Sequence, residues 1–121
     1  VLDDFTFTAN GETYTGCFTA RACYVFERAT GYPTTELRAQ SGVGSDIELA
    51  ALILGALEGH RVRAKVRRAA WTLDDVLDDI LGDLTGPQRH EIRMVVLRAH
   101  DKTWEGLPAA TGEDPKPQTT G

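Results

Sequence analysis

The sequence predicts an α+β domain, an N-terminal β-hairpin packed on a mainly α-helical body of about four to five helices. Three observations predict it. Phe5-Thr6-Phe7-Thr8-Ala9 and Glu12-Thr13-Tyr14-Thr15-Gly16-Cys17-Phe18 alternate on either side of Asn10-Gly11, a pair that tolerates the positive φ angles of a type I′ turn. From Ser45 or Asp46 to about Glu58, Ile47, Leu49 to Leu54, Ala56 and Leu57 leave a helix apolar nearly all round, so it must be buried on more than one side. Leu73, Val76, Leu77, Ile80, Leu81 and Leu84 repeat at helical spacing with aspartates between them.

A two-residue turn at Asn10-Gly11 sets Phe7 opposite Tyr14 and gives Phe5, Phe7, Tyr14 and Phe18 one face, with threonines on the other. This alternation puts Cys17 opposite the aromatics. An isolated hairpin is marginal in water, so the aromatic face needs helices against it. Thr19 is an N-cap for a helix over 20–30, with Cys23, Phe26 and Ala29 or Thr30 inward and Gly31 as its stop. Tyr32-Pro33-Thr34 starts a short helix from Thr35 to about Gln40, and Ser41-Gly42-Val43-Gly44 reads as a loop. Gly59-His60 loosens the long apolar helix at its end. For 61–70 both strand and helix fit; Val62, Val66 and Ala69, about one turn apart, favour helix. Thr72 caps the amphipathic helix over 73–84. Thr85-Gly86-Pro87-Gln88 has capping-box spacing, and Ile92, Val95, Val96 and Ala99 form the inner stripe of a last helix to about His100, with Trp104 and Leu107 docked at its end. Residues 1–107 thus form one globular domain, hairpin 3–18 and helical body 19–107. Residues 108–121, rich in Pro, Gly and Thr, read as a flexible tail.

The 121 residues, 41% hydrophobic and 26% charged, suit one core rather than a disordered chain. A net charge of −5 argues against a protein that coats nucleic acid, which needs a basic excess. No apolar run approaches the roughly 20 residues that span a bilayer, and the opening residues lack a signal pattern. Only Cys17 and Cys23 are present, too few for a disulfide scaffold. The expected setting is soluble and cytoplasmic.

Two charge blocks stand in succession: Arg61, Arg63, Lys65, Arg67 and Arg68, then Asp74, Asp75, Asp78, Asp79 and Asp83. A segment neutral in sum but polarised along its length suits pairing with a complementary surface, on a partner or on a second copy. Arg61, Arg63, Arg67 and Arg68, with Asp74, Asp75, Asp78 and Asp79, are therefore the candidate partner-binding residues. Aspartates one turn apart could hold magnesium against a diphosphate, but that chemistry needs a longer bundle and a second acidic motif. The spacings of Cys17, Cys23, His60, His90 and His100 match no zinc signature. His90-Glu91 lacks a zincin's second histidine, Ser41 and Ser45 stand in no nucleophile elbow, and Gly42-Val43-Gly44-Ser45 has no phosphate-loop lysine. The sequence thus predicts no catalytic site, cofactor or metal. The alternative to a protein contact is a small nucleic-acid-binding regulator using 61–68. Only Trp71 stands near to stack a base, and the neighbouring aspartates repel phosphate.

The hairpin, the helix-stop-proline phrase Phe26-Glu27-Arg28-Ala29-Thr30-Gly31-Tyr32-Pro33-Thr34-Thr35-Glu36-Leu37 and the alanine- and leucine-rich helix after it resemble small tail assembly chaperones of long-tailed phages and gene transfer agents. The resemblance covers about Phe5 to Leu84; the basic stretch 61–68 and the long last helix depart from it. It implies a binding protein of the host cytoplasm, with no enzymatic activity. Its implied partners are the tape-measure protein and the tail tube protein, and copies of the chain gather on the tape measure. Members of that family are often also made with a frameshifted C-terminal extension, for which the segment after Pro108 would be a convenient junction.

Overall fold

The computed structural model describes residues 2–39 and 45–106. The predicted loop Ser41–Gly44, Gln40, Leu107 and the tail 108–121 lie outside the described residues. Strands β1 (Phe5–Ala9) and β2 (Glu12–Gly16) are followed by helices α1 (Ala20–Thr30), α2 (Thr34–Ala39), α3 (Asp46–Arg63), α4 (Asp75–Ile80) and α5 (Gly86–Thr103). The α+β architecture is the one the sequence predicts.

The strands pair antiparallel with Phe7 opposite Tyr14 and Ala9 opposite Glu12. Asn10 and Gly11 sit at φ 54° and 79°, the two positive angles of a type I′ turn. The aromatic face forms as the alternation requires: Phe5 stacks on Phe18 with centroids 5.5 Å apart, and Phe7 on Tyr14 at 5.4 Å. The Asn10 side chain then donates to the Ile80 carbonyl at 3.1 Å, tying the turn to the end of α4.

α3 is the axis of the core, buried without interruption from Glu48 to Gly59. It runs to Arg63 instead of ending near Glu58, because Gly59 serves packing and not termination. A Cβ on Gly55 would lie 2.4 Å from the Ala22 carbonyl oxygen of α1, and one on Gly59 would lie 2.3 Å from that of Cys17. The two glycines, four residues apart and so on one helical face, let backbone touch backbone.

α1 has the predicted limits. Thr19 accepts from the Ala22 N–H at 3.2 Å, and Gly31 closes the helix at φ 89°. Its buried residues are Ala22 and Phe26, while Cys23, Ala29 and Thr30 are half-buried, because the helix meets α3 at the glycines. Cys17 departs further from expectation. The strand ends at Gly16, and Cys17 turns into the core, fully buried, with its N–H donated to the Ala56 carbonyl at 3.0 Å. The turn after α1 is fastened by Tyr32, whose hydroxyl donates to the buried Glu48 carboxylate of α3. Burial first, and then the hydrogen bond and charge of Glu48, push the Tyr32 hydroxyl up to about 12, so it remains a donor at physiological pH.

α4 is shorter than the predicted 73–84 helix and differently wound. The Leu81 N–H reaches the Val76 carbonyl five residues back at 2.9 Å, the wider π turn. That winding brings Val76, Ile80 and Leu81 under one face; Leu84 is buried beyond the helix end. α5 begins with the predicted capping box between Thr85 and Gln88 and continues past His100 to Thr103. His100 is fully buried, edge-on to Phe18, and accepts the Trp104 indole N–H on Nε2 at 3.1 Å.

Candidate functional site

The basic stretch proves to be neither one helix nor a strand. Residues 61–63 complete α3, and from Ala64 the chain is an exposed loop with Lys65 at φ 55°, an uncommon left-handed conformation for a residue with a side chain. Glu58 determines this path. Its buried carboxylate accepts from Arg61 Nε at 2.7 Å, Arg61 Nη2 at 2.9 Å and the Trp71 backbone N–H at 2.8 Å. One side chain therefore joins the last turn of α3 to the far end of the loop. Burial alone would raise the Glu58 carboxyl. The hydrogen bonds from Arg61 and Trp71, with the charges of Arg61 and Arg68, outweigh it and hold the group below its ordinary value.

Trp71 closes the loop over the hairpin. Its ring meets Tyr14 edge-on at 6.0 Å, and the Arg68 guanidinium lies 3.4 Å from the ring centroid, a cation–π contact. Arg63 turns inward, donating from Nη1 to Cys17 Sγ at 2.9 Å. Burial, reinforced by Asp4, pushes the Cys17 thiol up against the opposing pull of Arg63, and burial does the same for Cys23. Both are therefore thiols rather than thiolates at neutral pH, poor nucleophiles and poor metal ligands in that form. Among the described residues no three His, Cys, Asp or Glu side chains cluster as a metal ion would require.

The eight candidate residues thus divide by what they touch. Arg61, Arg63 and Arg68 are engaged within the molecule, and the Asp75 carboxylate accepts the Thr72 N–H at 2.9 Å to cap the start of α4. The side chains of Arg67, Asp74, Asp78 and Asp79 are exposed and make no hydrogen bond or ion pair with the described residues, and neither does the Lys65 ammonium. Val62 and Val66, 43% and 40% exposed, stand among the cations. Burial first, and then the charges of Glu12 and Asp79, raise the Tyr14 hydroxyl, and Tyr14 touches Trp71. No ion pair joins the two blocks among the described residues. Both blocks present their charges to solvent.

Sequence reasoning missed Glu58, Trp71 and Cys17 as the residues that shape this surface. Glu58 had a signal, since Arg61 stands three residues later on the same helical face. Cys17 had none, because its contact with Arg63 spans 46 residues.

No protein family, curated protein or solved structure matches the chain. Among the described residues no helix is long and apolar enough to cross a membrane.

Proposed function

We propose that the chain is a non-enzymatic assembly chaperone of long-tailed phage tails, which covers the tape-measure protein in the host cytoplasm and helps gather tail tube subunits around it. The observation that carries this reading is the surface made by the loop after α3 and the outer face of α4. Unpaired cations Lys65 and Arg67, exposed Val62 and Val66, and unpaired Asp74, Asp78 and Asp79 offer a partner both signs of charge and apolar contact. Such a surface recognises protein and sets its register. The helix-stop-proline phrase also supports it: Gly31 ends α1, Thr34 opens α2, and Tyr32 fastens the corner to α3. The polarised surface lets copies bind one another head to tail, cations to aspartates, as they line a long helical partner. Nucleic acid is the poorer fit, because Arg68 covers the Trp71 ring and Tyr14 meets it, leaving no open stacking platform.

Charge reversal tests the surface. Lys65→Glu with Arg67→Glu removes the free cations without touching Glu58, Cys17 or Trp71. We expect an unchanged circular dichroism spectrum and melting temperature, with self-association and tape-measure binding weakened about tenfold at low salt. Unchanged binding by the doubly reversed chain rejects the charge-pairing surface. Tight binding of DNA or RNA at low salt, lost in the same variant, replaces the chaperone reading with the nucleic-acid one.

A further inference from the structure

We propose that the outer edge of β1 and the flank of α5 form a docking groove for an extended segment of another polypeptide, which adds to the hairpin as a third strand. This site is separate from the polarised surface and does not depend on the chaperone reading.

The two-residue turn makes Ala9 and Glu12 a hydrogen-bonded pair, and alternation extends that pattern to Phe7 with Tyr14 and to Phe5 with Gly16. The backbone N–H and C=O groups of Thr6 and Thr8 therefore point away from β2. Among the described residues they have no backbone partner on that side. β2 packs against α3, and the chain just beyond it is tied there by the bond from Cys17 to Ala56, while β1 carries no proline or charge to blunt its edge. Beside that edge lie two adjoining cavities. One, of 510 Å³, reaches from Leu2 and Phe5 to Ala99 and Lys102, and its wall also holds Asp3 and Asp4, paired with Lys102 and His60, and Glu105. The other, of 480 Å³, reaches from Phe7 and Thr8 to Glu91 and Met94. Val95 and Arg98 line both, so the cavities form one trough along β1.

The trough suits a single strand. A second copy is the less suitable occupant, because each β1 has its own α5 in contact with it, and two helices about 10 Å thick would crowd strands about 4.8 Å apart. An added strand without a helix of its own would lay every second side chain on Met94, Val95 and Ala99. Met94 is 44% exposed, an uncovered apolar side chain in the floor. Charge gives the rest of the partner's chemistry. Arg98 and Glu91 are exposed and unpaired among the described residues, two turns apart on α5 and so about 10 Å from one another. The segment therefore carries apolar or small residues at alternate positions, a carboxylate at the level of Arg98 and a cation towards Glu91. Backbone pairing supplies affinity and the alternate side chains supply choice, as in β-strand addition generally.

The test is selection of a random dodecapeptide library on the full chain, with binding of the enriched peptides then measured by fluorescence anisotropy. We expect peptides of alternating apolar pattern with an acidic residue. Their affinity should fall at least about tenfold for Thr8→Pro, which removes an outward N–H that β2 does not use, and for Arg98→Glu, a surface change that leaves the hairpin alone. Amide resonances of Thr6 and Thr8 should shift on binding. Failure to enrich any peptide overturns the proposal, and so does equal binding to both variants. Enrichment only on a chain ending at Gly106 also overturns it, because the occupant is then this chain's own C-terminal segment.

Discussion

Gly55→Ala should lower stability by about 3 kcal/mol, as overpacking does when the obstacle is backbone. The added methyl would stand 2.4 Å from the Ala22 carbonyl oxygen and 3.2 Å from its carbon, so α1 must move away from α3. That displacement would open the contact around Ala22 and Phe26, both buried in the core. Alanine is ordinarily the better helix former by about 1 kcal/mol, so an isolated helix would gain from the change. A lowered melting temperature therefore reports packing against α1 and not helix propensity. Thermal denaturation followed by circular dichroism checks it. A chain as stable as the parent would mean that α1 and α3 do not approach at Gly55.

The second large effect belongs to Glu58. Glu58→Ala removes the acceptor for Arg61 and for the Trp71 N–H, and we expect a loss of about 2 kcal/mol, as when a carboxylate accepting charge-assisted hydrogen bonds is deleted. The loop after α3 should loosen with it, and Trp71 fluorescence should become more accessible to a soluble quencher. Acid should act in the same sense. The Glu58 carboxyl is lowered in the folded state, so the stability it contributes is fully present above its ordinary value of 4.5 and is lost as pH falls through the lower folded value. Glu58→Gln should flatten the acid limb of a stability profile over that range. A profile in which parent and variant lose stability in parallel below pH 4.5 would remove Glu58 from this role.

Local chemistry made much of the fold legible. Asn10-Gly11 dictated the turn and register, Thr19 and Gly31 bounded α1, and the Thr85 to Gln88 box opened α5, each through contacts within a few residues. What was illegible depends on distant partners. Gly59 reads as a helix end until Cys17 and Thr19 are brought against it. Val76, Ile80 and Leu81 read as an α-helical stripe, but π winding lets all three reach the core. The candidate surface was legible as charge and illegible as structure. Nothing in the spacing of Arg61, Arg63 and Arg68 reveals that Glu58, Cys17 and Trp71 engage them, leaving the Arg67 and Lys65 side chains unpaired among the described residues. The engaged arginines shape the loop; Lys65 and Arg67 give it its unpaired charge.

The central claim, that this chain covers a long helical protein during assembly, is tested most directly by co-expression with the tape-measure protein. Size-exclusion chromatography with light scattering, at low and at moderate salt, then gives the stoichiometry. The account predicts a soluble complex carrying many copies of this chain per partner, which loosens as salt rises because unpaired charges hold it. A monomer eluting alone, with the partner left insoluble, would contradict it.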